Sequence, residues 1–310
     1  LLSAMLAPTP TDPGSDCSNA SVLCDKSSFV VQQVSGAGND NSELNGATCF
    51  GGGAGTNFET NSTWFTWIAE KDGTLEFTLS PLNEEDDLDF VLYELPNGID
   101  DCSNKIMRRC MASGDFVYPS PCMGPTGLRE GDPDEQEPAG CSLSSQNSFL
   151  APLNMEEGKA YALIVNNFSA TGNGFSIDFG GTGTFRGPEA AFDVAFSNDD
   201  ADNIVCVGEE ITFTDASAFP LGALEGWEWS FGVGAQPTTA SGQGPHKISY
   251  ATPGLKSVVL TVETSLGCVV TEIGTFEVLP GIEIDEMITQ PDCGGGTNGL
   301  IELMLSGGEA

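Results

Sequence analysis

The residue run with the most evident chemistry is Glu84-Glu85-Asp86-Asp87-Leu88-Asp89, which leads into the apolar segment Phe90-Val91-Leu92-Tyr93. In an extended chain, side chains two apart share a face, so Asp87 and Asp89 can point together toward one ion. Carboxylates in that arrangement suit calcium, a hard cation that takes 6–8 oxygens at about 2.3–2.6 Å. A second acidic group, Glu130, Asp132, Asp134, Glu135 and Glu137, follows Gly127-Leu128. Either group can complete the other's site at a sandwich edge, which gives Asp86, Asp87, Asp89, Asp132 and Glu137 as the expected calcium ligands. The competing expectation is an acidic face that is simply solvated. Neither Asp132-Pro133-Asp134 nor Asp200-Ala201-Asp202 carries the Gly and the distant Glu of an EF-hand loop.

Other chemistries fit poorly. A glycosidase needs two carboxylates set across a sugar cleft, and in a chain with 45 Asp+Glu their abundance carries no information. Phe50-Gly51-Gly52-Gly53-Ala54-Gly55 lacks the Lys and Ser/Thr of a phosphate loop. His246 is the single histidine, which removes the imidazole that metal sites and Ser-His-Asp catalysis normally need. Trp64 and Trp67 can stack on sugar rings, but three apart on a strand they face opposite ways, so at least one belongs to a core.

The 310 residues carry 10 Lys+Arg against 45 Asp+Glu, a net charge of -35, which excludes nucleic acid and anionic membranes as partners. The charge is evenly spread, with 8 Lys+Arg against 26 Asp+Glu up to Gly187 and 2 against 19 from Pro188. Such even acidity suits solubility rather than one site. With 39% hydrophobic residues and 18 Phe, the chain has the means to fold. No apolar run approaches the length of a membrane span. Leu1-Leu2-Ser3-Ala4-Met5-Leu6-Ala7 reads equally as the tail of a signal peptide or as an apolar N-terminal strand.

Ten Cys without a Cys-x-x-Cys pair point to structural disulfides and an oxidising, extracellular compartment. Cys102–Cys110 and Cys122–Cys141 are the natural local pairs, leaving Cys17, Cys24 and Cys49 with one over. These thiols must be positioned by β-structure. Trp64–Ile68, Thr74–Leu79, Phe90–Tyr93, Tyr161–Val165 and Phe175–Phe179 are short β-branched or aromatic runs bounded by turn residues. Only Cys102–Arg109 hints at a helical turn. The fold class is therefore all-β, with tandem disulfide-stapled β-sandwiches.

Three resemblances refine this. Cys206–Asp215, Trp227-Glu228-Trp229-Ser230-Phe231-Gly232, Tyr250-Ala251-Thr252-Pro253-Gly254 and Val258–Val262 resemble a PKD domain, an immunoglobulin-like sandwich, with Val233 where the family usually has Asp. The resemblance implies that Trp227, Trp229 and Phe231 face one core. It also puts Cys206 and Cys268 on neighbouring strands, as a disulfide.

Asp16–Ala20, Thr63–Trp67, Gly73-Thr74-Leu75, Asp87–Phe90, Arg109–Ala112, Gly124–Leu128, Asn166–Ser169 and Gly180–Phe185 resemble an N-terminal domain of large secreted Bacteroidota proteins, related in pattern to jelly-roll and CUB-like folds. Pro291–Leu303 with Ser306-Gly307-Gly308 is similar to the first half of an SprB-type repeat of gliding-motility adhesins. A half repeat cannot close its own core.

The expected organisation is an extension (1–16), a jelly-roll-like sandwich (17–187) with a Cys-rich insertion (102–148), a PKD-like sandwich (188–280) and an incomplete repeat (281–310). The families imply a non-catalytic, type IX-secreted adhesin or filament component at the cell surface. Its partners would be other domains of the same chain, further copies, or a surface polysaccharide, without membrane insertion. The alternatives are the accessory, substrate-targeting region of a large secreted hydrolase, or a subunit of a homopolymeric extracellular filament.

Overall fold

In the computed structural model, residues 14–44, 46–50, 59–114, 122–142, 145–196, 205–292, 294–295 and 297–307 are described. The N-terminal apolar run, the Gly51–Gly55 loop, Asp200-Ala201-Asp202 and Cys293 lie outside them. The chain divides into two compact units, Leu1–Gly187 with Leu266–Cys268, and Pro188–Ser265 with Val269–Ala310.

The first unit contains β1 (Ser21–Val22), β2 (Phe29–Gln33), β3 (Ser62–Lys71), β4 (Gly73–Pro81), β5 (Leu88–Leu95), β6 (Ile106–Met111) and β7 (Thr126–Leu128). It continues with β8 (Gln136–Glu137), β9 (Phe149–Leu150), β10 (Leu153–Met155), β11 (Ala160–Asn167), β12 (Asn173–Gly180) and β13 (Thr184–Phe185). One sheet runs β1-β3-β11-β5-β6-β8 with β13 on β3; the other runs β2-β12-β4-β7-β9 with β10 on β4. Every run named above as a strand lies inside one. The stretch Cys102–Arg109 holds a turn at Ser103-Asn104 and then enters β6, not a helix, and Arg109 and Cys110 pair with Leu92 and Val91 of β5. The Cys-rich insertion does not stand apart, because β6 and β8 extend one sheet and β7 the other.

The two sheets differ in how they are covered. β4 alternates buried and half-buried positions, as a strand with one face on a core must. β5 and β11 are buried at every position, and β3 at seven of its ten, so the first sheet is covered on both faces. Its inner face meets the second sheet through Phe65, Trp67, Phe90, Leu92, Leu163 and Val165. Its outer face carries Trp64, Val91, Tyr93, Ala162 and Ile164 under a layer of irregular chain that includes Leu44, Ala47, Cys49 and Phe50. Trp64 and Trp67 are both 0% exposed, one on each face. Three-residue spacing puts them on opposite sides, and both sides are core.

The second unit contains β14 (Phe192–Phe196), β15 (Val205–Cys206), β16 (Glu210–Asp215), β17 (Leu224–Ser230), β18 (Ala235–Gln236), β19 (Thr239–Ser241), β20 (His246–Tyr250), β21 (Gly254–Thr264) and β22 (Val269–Leu279). Sheets β14-β16-β20-β18 and β15-β22-β21-β17-β19 enclose Phe213, Trp229, Phe231, Tyr250, Val258 and Leu260. Trp229 and Phe231 are buried, and Trp227 packs partly buried against the same core. The Tyr250 hydroxyl donates to the Phe231 carbonyl at 2.7 Å, and Trp229 Nε1 donates to the Gly242 carbonyl at 2.9 Å. Both rings therefore bury their polar ends satisfied. Gly254, with φ +102, turns the chain from the Tyr250–Pro253 segment into β21, in a conformation that favours glycine. Val233, in the turn after Phe231-Gly232, is 88% exposed, where the usual Asp would meet only solvent.

Two further strands, β23 (Glu283–Thr289) and β24 (Leu300–Ser306), pair, among the described residues, only with each other. Their register sets Ile284 opposite Leu305, Glu286 opposite Leu303 and Ile288 opposite Ile301. One face of the ribbon is therefore a five-residue apolar row around a single Glu, and every position of both strands is exposed.

Candidate functional site

Of the two local disulfides expected above, Cys122–Cys141 is formed and Cys102–Cys110 is not. Cys17 is bonded to Cys102, Cys49 to Cys110, Cys122 to Cys141, and Cys24 to Cys268. The expected Cys102–Cys110 bridge is absent, because β6 sends the buried Cys110 outward from the sheet to meet Cys49 of the overlying layer. Cys102 instead meets Cys17 at the start of that layer. Cys206–Cys268 is likewise not formed. Cys206 sits opposite Leu279, the last residue of β22, while Cys268 immediately precedes the first. A strand of 11 residues, at about 3.3 Å per residue, keeps them roughly 30 Å apart. Cys206 is free and half-buried.

The acidic residues separate into those consumed by the fold and one that is not. Asp86, 0% exposed, accepts from Asn167 Nδ2 (2.9 Å), Thr171 Oγ1 (2.6 Å), Asn173 Nδ2 (3.2 Å) and Asn83 Nδ2 (3.1 Å). That carboxylate ties the entrance of β5 to the β11–β12 turn. Asp132 accepts from Arg129 Nη2 (3.2 Å) and Asn147 Nδ2 (3.1 Å). Glu137 accepts from the Ser113 hydroxyl (2.6 Å) and from the backbone N–H groups of Asn147 (2.9 Å) and Ser148 (3.1 Å). Of the five acids expected around one ion, Asp86, Asp132 and Glu137 are engaged with protein donors. Each already has donors, and among the described residues no group of three or more Asp, Glu, His or Cys is placed to hold a metal.

Asp89 lies in β5, and Asp87, just before the strand, is its charged neighbour. The Asp87 backbone N–H donates to the Ser169 hydroxyl at 2.9 Å, and its carboxylate lies against Gly114, where a Cβ would collide with Oδ2. Asp89 is 3% exposed, and its Oδ1 has no hydrogen-bond partner. Burial raises its pKa well above the usual carboxylate range, and the neighbouring Asp87 charge adds to the effect, since both disfavour the ionised form.

The outer face carries a second perturbed acid that sequence patterning did not single out. Glu59 accepts from the Ser62 hydroxyl at 2.6 Å and from the Glu43 backbone N–H at 3.2 Å. Burial raises its pKa from 4.5 to about 7, with Glu43 and Asp40 adding repulsion. Glu43 in turn accepts from the Cys17 backbone N–H at 3.0 Å. Nothing in the Glu59 neighbourhood of the sequence announces burial; only the pairing of β3 and the closure of the layer create it.

Arg109, also buried, donates to the carbonyls of Ala151 (2.8 Å), Pro152 (2.6 Å) and Arg108 (2.7 Å) and so clasps β6 to the segment before β10. Lys105 lies 5.5 Å from the Trp64 ring centre and 5.4 Å from that of Tyr93, and the two rings stack on each other. A cation so placed is attracted by the negative faces of both rings. Lys105 also lines a cleft of about 430 Å³ together with Asp16, Ser18, Asn39, Asp40, Glu43 and Cys102. Within that cleft Asp16 accepts from the N–H groups of Asn39 (2.7 Å) and Asp40 (2.8 Å), and these bonds hold its carboxyl below the usual range. The tryptophans considered as sugar platforms lie wholly inside, so stacking on a ligand is closed to both. His246 sits half-buried beside Trp229 and Phe231, 3.0 Å from the Gly242 carbonyl.

No family model matches this chain, and no curated protein matches it. Among solved structures, it is similar to the crystal structure of the PKD1 domain of Vibrio anguillarum Epp, with 26% identity over 29% of this chain and 92% of that one, at a TM-score of 0.23.

Proposed function

We propose that this chain is a non-catalytic, extracellular β-module region of a cell-surface protein, serving attachment or forming part of a surface filament. The observation that carries the reading is the disulfide-bonded layer over the first sheet. Cys17–Cys102 and Cys49–Cys110 span 85 and 61 residues and fasten the irregular outer layer around Cys17 and Cys49 to the chain at and before β6. Such bonds persist in oxidising surroundings and hold a small, loop-rich layer against unfolding and proteolysis. The even acidity of both units favours a soluble, mutually repelling surface. The gliding-motility, type IX secretion and polysaccharide-binding readings rest on the family resemblances of the sequence and belong to this proposal.

The second reading, an accessory region of a secreted hydrolase, predicts a different phenotype. Deleting the gene should reduce surface attachment or gliding while leaving secreted hydrolytic activities intact, with the product found on intact cells by immunogold labelling. Loss of a secreted hydrolytic activity with normal attachment would overturn the adhesive reading.

A further inference from the structure

We propose that Asp87 and Asp89 are the two carboxylate ligands of one calcium site at the start of β5. Four buried side-chain polar atoms among the described residues lack a hydrogen-bond partner: Trp64 Nε1, Trp227 Nε1, Asn167 Oδ1 and Asp89 Oδ1. Only the last belongs to a group that can carry charge. An ionised carboxylate taken out of water without a partner costs several kcal/mol, so a folded chain keeps one only where something neutralises it. No ion pair among the described residues reaches Asp89; the first unit's pairs go to Glu94, Asp132, Glu135 and Glu156.

The neighbours do not help. On β11, the residue opposite Asp89 is Asn166, and its Oδ1 accepts from the N–H groups of Thr60 (2.9 Å) and Asn61 (3.2 Å). On the other side, Phe90 pairs with Met111, so the chain from Ala112 to Gly114 runs beside Asp87 and Asp89 and brings no cation. Its contribution is space, since the Asp87 carboxylate occupies the position of the absent Gly114 side chain.

Protonating Asp89 would remove its own charge but leave the neighbouring Asp87 charge uncompensated. A cation settles both the charge and the partner, and it turns the Asp87–Asp89 repulsion into shared coordination. The available donors are oxygens, with no thiolate or imidazole at hand, which selects a hard ion. Calcium accepts irregular oxygen shells completed by water, whereas magnesium demands near-octahedral geometry. Asp86, three residues before Asp89, is no part of the site, because its carboxylate is spent on four side-chain donors.

The test is calorimetric titration of CaCl2 or MgCl2 into the purified full chain after chelator treatment and dialysis, with melting temperature followed in parallel. One Ca²⁺ should bind per chain and raise the melting temperature. Asp89→Asn should weaken binding by at least ~10-fold and leave the metal-free protein as stable as the parent or more so. Asp87→Asn should weaken binding similarly and serves where Asp89→Asn does not fold. Glu84→Gln and Glu85→Gln, altering acids outside the pair, should bind as the parent does. Absence of heat and of any thermal shift at millimolar Ca²⁺ would overturn the proposal. So would parental binding by both Asp variants, which places the ion elsewhere, and equal affinity for Mg²⁺ would overturn the assignment to calcium.

Discussion

The two faces of the first sheet are built from the same strands by different means. The inner face meets a second sheet, and its contacts are rings and branched chains: Phe77 on Phe90 at 5.1 Å, Trp67 on Phe185 at 4.9 Å, Phe29 on Phe65 at 5.3 Å. The outer face meets irregular chain, which has no ladder of its own to satisfy its backbone. That layer is held by two disulfides, by carboxylates that accept backbone N–H groups (Asp16, Glu43 and Glu59), and by a lysine over two rings. A regular face closes by area alone; an irregular one needs polar and covalent fasteners. Buried ionisable groups follow from that requirement, and the acids of the unit whose pKa burial raises, Glu43, Glu59 and Asp89, belong to the outer side.

The sharpest comparison uses one residue type on one strand. Trp67→Ala removes a ring from the sheet-to-sheet core, where rigid neighbours cannot collapse into the cavity, and should cost about 5 kcal/mol. Trp64→Ala empties the outer face, where loop residues can relax inward, and should cost only about 3 kcal/mol. Urea denaturation of both variants measures the difference. Equal losses would mean that the outer layer is as stiff as the second sheet.

Removing a fastener comes next in size. Cys49→Ser with Cys110→Ser opens a loop of 61 residues, worth about 4 kcal/mol on the chain-entropy argument. The loss should fall on the outer layer first. Limited proteolysis should cut the residues before β3 while amide exchange in β4 and β12 stays protected. Uniform loss of protection would merge the two faces into one cooperative unit.

The two faces also differ in how far they can be read from sequence. Inner-face strands are legible because aromatic and β-branched runs between turn residues report burial directly, as at Thr74–Leu79 and Phe175–Phe179. The core of the second unit is legible for the same reason, in the alternation of Trp227, Trp229 and Phe231. The outer layer is not. Its disulfides join residues 85 and 61 apart, and near neighbours such as Cys102 and Cys110 mislead once a strand pairing sends each to a different partner. Acid clusters can be located but not sorted. Six adjacent letters do not say that Asp86 will find four donors and Asp89 Oδ1 none, because most of those donors arrive from residues 167–173, far away along the chain. Glu59 is hidden for the same reason, an isolated acid with no neighbour to mark it.

Asp86 tests a fastener made only of hydrogen bonds. Asp86→Ala removes the buried charged acceptor shared by Asn83, Asn167, Thr171 and Asn173, at about 2 kcal/mol. Asp86→Asn keeps the shape and part of the accepting capacity, and should cost less. A melting temperature for Asp86→Ala close to the parental one would show that water replaces the carboxylate without loss.

The smallest effect is one of sign, and it separates the outer face from the inner one by pH. Glu59 has a folded-state pKa raised from 4.5 to about 7. Below the lower of these values the acid is protonated whether the chain is folded or not, so it costs nothing. As pH rises toward 7, the unfolded chain ionises while the folded one resists, and stability is lost progressively across that window. Glu59→Gln removes this dependence and sacrifices part of the bond to Ser62. The parent should therefore melt above the variant at pH 4, and the gap should close or reverse by pH 8. Asp89, raised in the same direction, tilts both proteins alike, so the difference between them isolates Glu59. Trp67→Ala, on the inner face, should shift the whole curve without changing its slope. If Glu59→Gln does the same, the acid is wetter than its burial indicates and the outer layer is looser than the structure draws it.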